Sequence, residues 1–155
     1  MIKIIMPISD QTLYTLKMSS FLFDKYWPED TKIDVVGFQK PDFEISDKMN
    51  FVSIAPEQVG KANSWSKYIL QYLESLDDEL ILFTLEDFFP TASPKIGIVS
   101  KVISLMTGDK RIGRFDLTFD SYTLGQYTTV KESPNLSIIS KDKFVFGLKF
   151  SNFFP

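Results

Sequence analysis

The stretch Leu80-Ile81-Leu82-Phe83-Thr84-Leu85 carries no charge and a single hydroxyl. A short run this apolar is a strand covered on both faces, the condition of an interior strand in a parallel sheet. The chain on either side supplies the cover. Trp65, Tyr68, Ile69, Tyr72, Leu73 and Leu76 recur at i, i+3, i+4, i+7, i+8 and i+11, which is one face of a helix just before the strand. Val99, Val102, Ile103 and Met106 mark another helix after it, closed by Gly108.

The same alternation starts upstream. Ile2 to Met6 is a short apolar strand ended by Pro7, and Ser9-Asp10 supplies cap chemistry for a helix running to Tyr26, where Trp27-Pro28 stops it. Lys32 to Phe38 reads as a second strand, Pro41 to Lys48 as a polar loop, and Phe51 to Ile54 as a third strand. Arg111 to Arg114 begins another. From Phe115 onward the runs are short and separated by Gly125, Pro134 and Gly147. The expected fold class is therefore α/β, a mostly parallel sheet with flanking helices and an irregular or antiparallel C-terminal appendage. With 155 residues and 44% hydrophobic content the chain builds one core. It reads as a single domain, residues 1–155, with an α/β core over 1–114 and the appendage over 115–155.

Composition then removes chemistry. There is no Cys and no His, which excludes disulfides, thiolate or imidazole metal sites and a Ser-His-Asp triad. Any metal must be hard and oxygen-ligated, and acid-base work falls to carboxylate, Lys or Tyr. Lys+Arg 17 against Asp+Glu 20 leaves a net charge of −3 with no run of like charges, which argues against a nucleic-acid partner. The apolar run before Pro7 is too short for a signal-peptide core, and no stretch is long enough to span a membrane, so the expected localisation is cytoplasmic. No G-x-G-x-x-G is present, and Gly60-Lys61 lacks the rest of a P-loop.

Glu86-Asp87 directly follows the buried strand, and in open α/β sheets ligands bind beyond the carboxyl ends of strands. Two adjacent carboxylates there can ligate Mg²⁺ or Mn²⁺, with substrate phosphates completing the shell. The other reading of the pair is a solvated acidic turn that ends the strand.

The first strand with its Pro7 loop, Gly60-Lys61-Ala62-Asn63 entering a helix, and Leu80 to Phe89 together resemble the nucleotide-sugar half of GT-A glycosyltransferases over about residues 1–114. The resemblance implies a domain that binds a nucleotide diphosphate sugar with Mn²⁺ or Mg²⁺ and transfers a hexosyl group. It implies metal ligation by Asp87 and Glu86. It also implies nucleotide-sugar contacts from Pro7, Ile8, Ser9, Asp10, Gln39, Asn63 and Glu86. For Ser9, Asp10 and Asn63, helix capping is the competing reading. Phe88 stands where the family's motif has a further carboxylate, and Gln39-Lys40 stands where it often has an acid. No catalytic base carries over; Asp116 and Asp120 are conceivable ones by position alone. The family's acceptor half would begin about where this chain ends, so the chain reads as a piece of a larger enzyme or as a small relative that binds without transferring. That second possibility, a non-catalytic binding or interaction module that keeps the sheet, is the alternative function.

Trp65, Tyr68 and Tyr72 lie on the helical stripe and are expected in the core rather than under a sugar. Arg111 and Arg114 are expected to serve surface ion pairing. Phe144, Phe146, Phe150, Phe153 and Phe154 crowd the final twelve positions, an apolar surface that must be covered, and a homo-oligomer is the expected means.

Overall fold

The computed structural model describes residues 2–55 and 65–117, together with short strands at 123–124, 127–128 and 136–140. The elements in chain order are β1 (Lys3–Pro7), a 3-10 helix (Asp10–Thr12), α1 (Thr15–Tyr26), β2 (Ile33–Gly37), β3 (Met49–Ser53), α2 (Trp65–Glu74), β4 (Leu80–Thr84), α3 (Ile96–Gly108), β5 (Arg114–Asp116), β6 (Thr123–Leu124), β7 (Tyr127–Thr128) and β8 (Leu136–Ser140). The main sheet has the order β3-β2-β1-β4-β8-β5. β1 to β4 are mutually parallel, and β8 runs antiparallel to both β4 and β5. The C-terminal stretch thus contributes the expected antiparallel strand, and its place is inside the sheet, between β4 and β5.

Side-chain alternation along the strands divides the core in two. Ile4, Met6, Ile33, Val35 and Leu82 face α1 and α3, where Leu16, Phe23, Trp27, Val102 and Met106 are buried with them. Ile5, Val36 and Ile81 face the other way and are covered by Ile69 and Leu73 of α2. Trp65, Tyr68 and Tyr72 are only half-buried, so the apolar seal on that face comes from the aliphatic members of the stripe. Tyr68 still meets Phe38 edge-on, with ring centroids 5.7 Å apart.

Strand β5 begins at Arg114 rather than Arg111, and two further boundaries differ from the sequence expectation for reasons visible in the hydrogen bonds. The first helix does not start at Ser9-Asp10, because both side chains are engaged elsewhere, Ser9 with Thr12 and Asp10 with the Gln39 amide. The chain makes a 3-10 turn instead and becomes α-helical at Thr15. The third strand begins at Met49 rather than Phe51, since Met49 already pairs with Ile33. Between β2 and β3 the crossover is the expected polar loop, anchored by Phe43 and Ile45 against the α1 face.

Two charged groups inside the fold are held by full sets of partners. Lys48 is 7% exposed, and its ammonium donates to the carbonyls of Phe23, Asp24 and Trp27 at 3.2, 3.2 and 2.9 Å, using all three protons to close the C-terminus of α1. Asp34 lies on β2 towards α2. Its Oδ2 accepts from Tyr72 Oη at 2.6 Å and pairs with Lys3 Nζ at 2.5 Å, while Oδ1 accepts from Asn50 at 3.1 Å. Burial alone would raise the Asp34 pKa, but the hydrogen bonds from Lys3, Tyr72 and Asn50 and the Lys3 charge outweigh it, and the carboxyl sits below its ordinary value. Burial and the same carboxylate push the Tyr72 phenol upward, so it stays protonated and donates.

Lys48→Met removes the donor for three carbonyls and should lower stability by about 2–3 kcal/mol, read as a shift of the urea midpoint at unchanged slope. Because the folded Asp34 pKa is depressed, its stabilisation is complete above the unfolded value of about 3.9 and is lost as pH falls through the folded value. The wild-type Tm should therefore fall more steeply below about pH 5 than that of Asp34→Asn, as followed by circular dichroism.

Candidate functional site

Chain direction along the sheet fixes where a site can form. From β1 the chain steps outward to β2 and β3, then crosses back to lay β4 on the opposite side of β1. The carboxyl ends of β1 and β4 are therefore neighbours whose following segments leave in opposite directions, the switch point at which open α/β sheets leave a crevice. Pro7 ends β1 and Ile8 to Thr12 follows it at this point, Phe38-Gln39 follows β2, and Leu85 to Asp87 follows β4.

Hydrogen bonds join these three segments. Thr12 Oγ1 lies 2.9 Å from Glu86 Oε1, 2.9 Å from Ser9 Oγ and 3.2 Å from the Ser9 carbonyl. A hydroxyl carries one proton, so the arrangement that serves the carboxylate runs as a relay, Ser9 donating to Thr12 and Thr12 to Glu86. The Glu86 carbonyl accepts from Ser19 Oγ of α1 at 3.0 Å, and Ser19 is fully buried. Glu86 is thus fixed through both main chain and side chain. The Gln39 amide donates to Asp10 Oδ1 at 3.1 Å, binding the end of β2 to the β1 loop. Ile8 N–H bonds the Val36 carbonyl at 2.9 Å. That close approach requires Gly37, where a Cβ would lie 2.8 Å from Ile8 Cγ2 and 3.2 Å from the Ile8 carbonyl oxygen.

Asp87 differs from its neighbours. It is exposed, and among the described residues it makes no hydrogen bond or ion pair. The donor set here is hard and oxygen-based, one constrained carboxylate beside one unconstrained. This suits Mg²⁺ or Mn²⁺ sharing its shell with phosphates and water. The described residues contain no group of three or more acidic side chains able to cage a metal alone.

Of the residues singled out from the sequence, Pro7, Ile8, Ser9, Asp10, Gln39, Glu86 and Asp87 lie at this end of the sheet. Pro7 and Ile8 are buried, and Gln39 takes part in the bonds above through its main chain. The capping reading of Ser9 and Asp10 is not what these side chains do, since neither caps α1. Asn63 lies outside the described residues, as do Asp120 and the Phe-rich tail; Asp116 ends β5. Arg111 forms the expected surface pair, 2.7 Å from Asp109, which raises the guanidinium pKa further. Thr12 and Ser19 were not among the sequence candidates. The available signal was two serines, Ser19 and Ser20, on the face of α1 that otherwise buries Leu16 and Phe23.

No protein-family model and no curated protein matches the sequence. Among solved structures, the chain is similar to the glycosyltransferase GlyE of Streptococcus pneumoniae TIGR4, with a TM-score of 0.53 and 9% identity over 93% of this chain and 36% of that one. It is also similar to a Bacillus anthracis protein described as a glucose-1-phosphate thymidylyltransferase, with a TM-score of 0.50 and 9% identity over 100% of this chain and 76% of the other. The chain spans about a third of the length of GlyE. At such identities the likeness is one of fold, and it agrees with the sheet order and the parallel β1 to β4 described above: the chain has a nucleotide-diphospho-sugar transferase-like α/β fold.

Proposed function

We propose that this domain binds a nucleotide diphosphate sugar at the carboxyl ends of β1 and β4 and transfers its hexosyl group to an acceptor. The observation that carries the reading is the Thr12 to Glu86 hydrogen bond, which ties the β1 loop to the end of β4 beside an exposed Asp87 that has no partner among the described residues. Pro7 to Asp10 and Gln39 would flank the nucleoside, with Asn63 and Glu86 beside the diphosphate. Asp87, with Glu86, would hold Mn²⁺ or Mg²⁺. When bound, that cation supplies positive charge against the leaving diphosphate.

In the transfer, the bond from the anomeric carbon to the diphosphate oxygen breaks and its electron pair leaves with the diphosphate. The acceptor oxygen forms the new bond, and its proton passes to the leaving diphosphate, whose oxygen has just gained the electron pair. The contribution of the described residues is preorganisation: the Ser9-Thr12-Glu86 relay and the Gln39-Asp10 bond hold the crevice walls in place before ligand arrives, so little ordering remains to be done on binding. A second reading, a module that binds without transferring, is favoured by Phe88 standing where a further carboxylate would complete the metal motif.

A nucleoside diphosphate with Mn²⁺ at about tenfold above its Kd should stabilise the native state by about 1.4 kcal/mol and raise Tm by about 3–6 °C. UDP, GDP, CDP and dTDP, tested in parallel by thermal melting, identify the base. Asp87→Asn should abolish the shift, and Thr12→Val should reduce it. Absence of any shift at millimolar concentrations would refute nucleotide binding. A shift without release of nucleoside diphosphate from the matching sugar donor, with acceptor candidates present, selects the binding module.

A further inference from the structure

From Phe88 to Gly108 the chain runs for twenty-one residues without an acidic side chain, although the whole protein has 20. The same stretch contains four of the eight large hydrophobic residues that stand exposed among the described ones: Phe89 at 41%, Ile96 at 51%, Ile98 at 49% and Leu105 at 49%. On α3, Ile98, Lys101 and Leu105 are spaced i, i+3 and i+7, so they form one stripe along the helix, beside the stripe that buries Val102 and Met106. Lys95 precedes the helix. Lys95 and Lys101 are exposed, and neither makes an ion pair with a described residue. Past the end of the helix the acids are already matched, Asp109 with Arg111 and Glu79 with Lys110.

An exposed helix stripe that combines branched aliphatic side chains with lysines that no described acid pairs, and that itself carries no acid, is complementary to one kind of surface. Its apolar groups fit the acyl boundary of a bilayer and its ammonium groups fit anionic headgroups. The other exposed apolar stripe, Tyr14 at the start of α1 with Met18 and Phe21, differs in that its neighbouring lysines, Lys17 and Lys25, each sit over a ring, Phe43 and Tyr26, and Asp24 stands exposed on the next turn. We infer that α3 is a membrane-docking face, laying Ile98, Lys101 and Leu105 on an anionic lipid surface. No described helix is long and apolar enough to cross a bilayer, so the contact is interfacial. Docking of this kind needs no nucleotide and stands apart from the function proposed above.

The test is co-sedimentation of the full chain, without nucleotide, with vesicles of phosphatidylcholine alone or mixed with phosphatidylglycerol. Binding should favour the anionic vesicles and weaken with salt. Lys95→Gln with Lys101→Gln should cut that binding by about thirtyfold, each lysine near an anionic surface contributing about fivefold. Ile98→Ser with Leu105→Ser should abolish it, with circular dichroism confirming the fold. Tyr14→Ser with Phe21→Ser should leave it unchanged. If the aliphatic pair fails to fold, the lysine pair, on exposed side chains, still decides. Equal binding to both vesicle types, no binding, binding that survives both α3 variants, or an oligomer that the aliphatic variant converts to monomer would each overturn the assignment.

Discussion

Thr12 donates a hydrogen bond to Glu86 across seventy-four residues of sequence, and the carboxyl end of the sheet is organised around that contact. It is available only because β4 pairs with β1 in parallel, Lys3 to Ile5 lying beside Ile81 to Phe83. The pairing in turn needs both strands apolar on both faces, so that α1 and α3 can cover one side and α2 the other. Gly37 completes the arrangement by letting the β1 loop settle against β2. Removing the sheet order would leave Thr12 and Glu86 as two unrelated loop residues.

The two ends of the sheet are built to opposite rules. Near the amino end, Asp34 is enclosed by Lys3, Tyr72 and Asn50, and both of its oxygens are satisfied. A carboxylate in that condition fixes β1, β2, β3 and α2 relative to one another, and three of its roughly four acceptor sites are committed to the fold. At the carboxyl end, Glu86 is anchored while Asp87 stands exposed with no described partner. The stabilising carboxylate and the proposed ligand site thus lie the length of a strand apart, and a charge with no described partner at the carboxyl end is tolerable because water reaches it.

What the sequence made legible followed from periodicity. The run Leu80 to Leu85 identified the interior strand, the stripes at 65–76 and 99–106 identified the helices on either side, and the strand end placed Glu86-Asp87 at the edge of the crevice. The polar interior was not legible, because its partners are distant in sequence and carry no local period. Lys48 ends what reads as a polar loop, and folding places its ammonium under the last turn of α1. Ser19 looks like an ordinary helix residue until Glu86 arrives beneath it from β4. Ser9 and Asp10 have the composition of a helix cap, but Ser9 bonds Thr12 within the local turn and Asp10 is drawn across to Gln39. Local propensity lost at these positions to tertiary hydrogen bonding, which is where functional sites tend to break local rules.

The most direct measurement is a crystal structure of the protein grown with Mn²⁺ and the nucleoside diphosphate that gives the largest thermal shift. The account predicts the diphosphate between the Ser9 to Thr12 loop and Asp87, with a cation about 2.0–2.3 Å from an Asp87 carboxylate oxygen. A nucleotide seated elsewhere, at the amino end of the sheet or against an outer helix face, would contradict it.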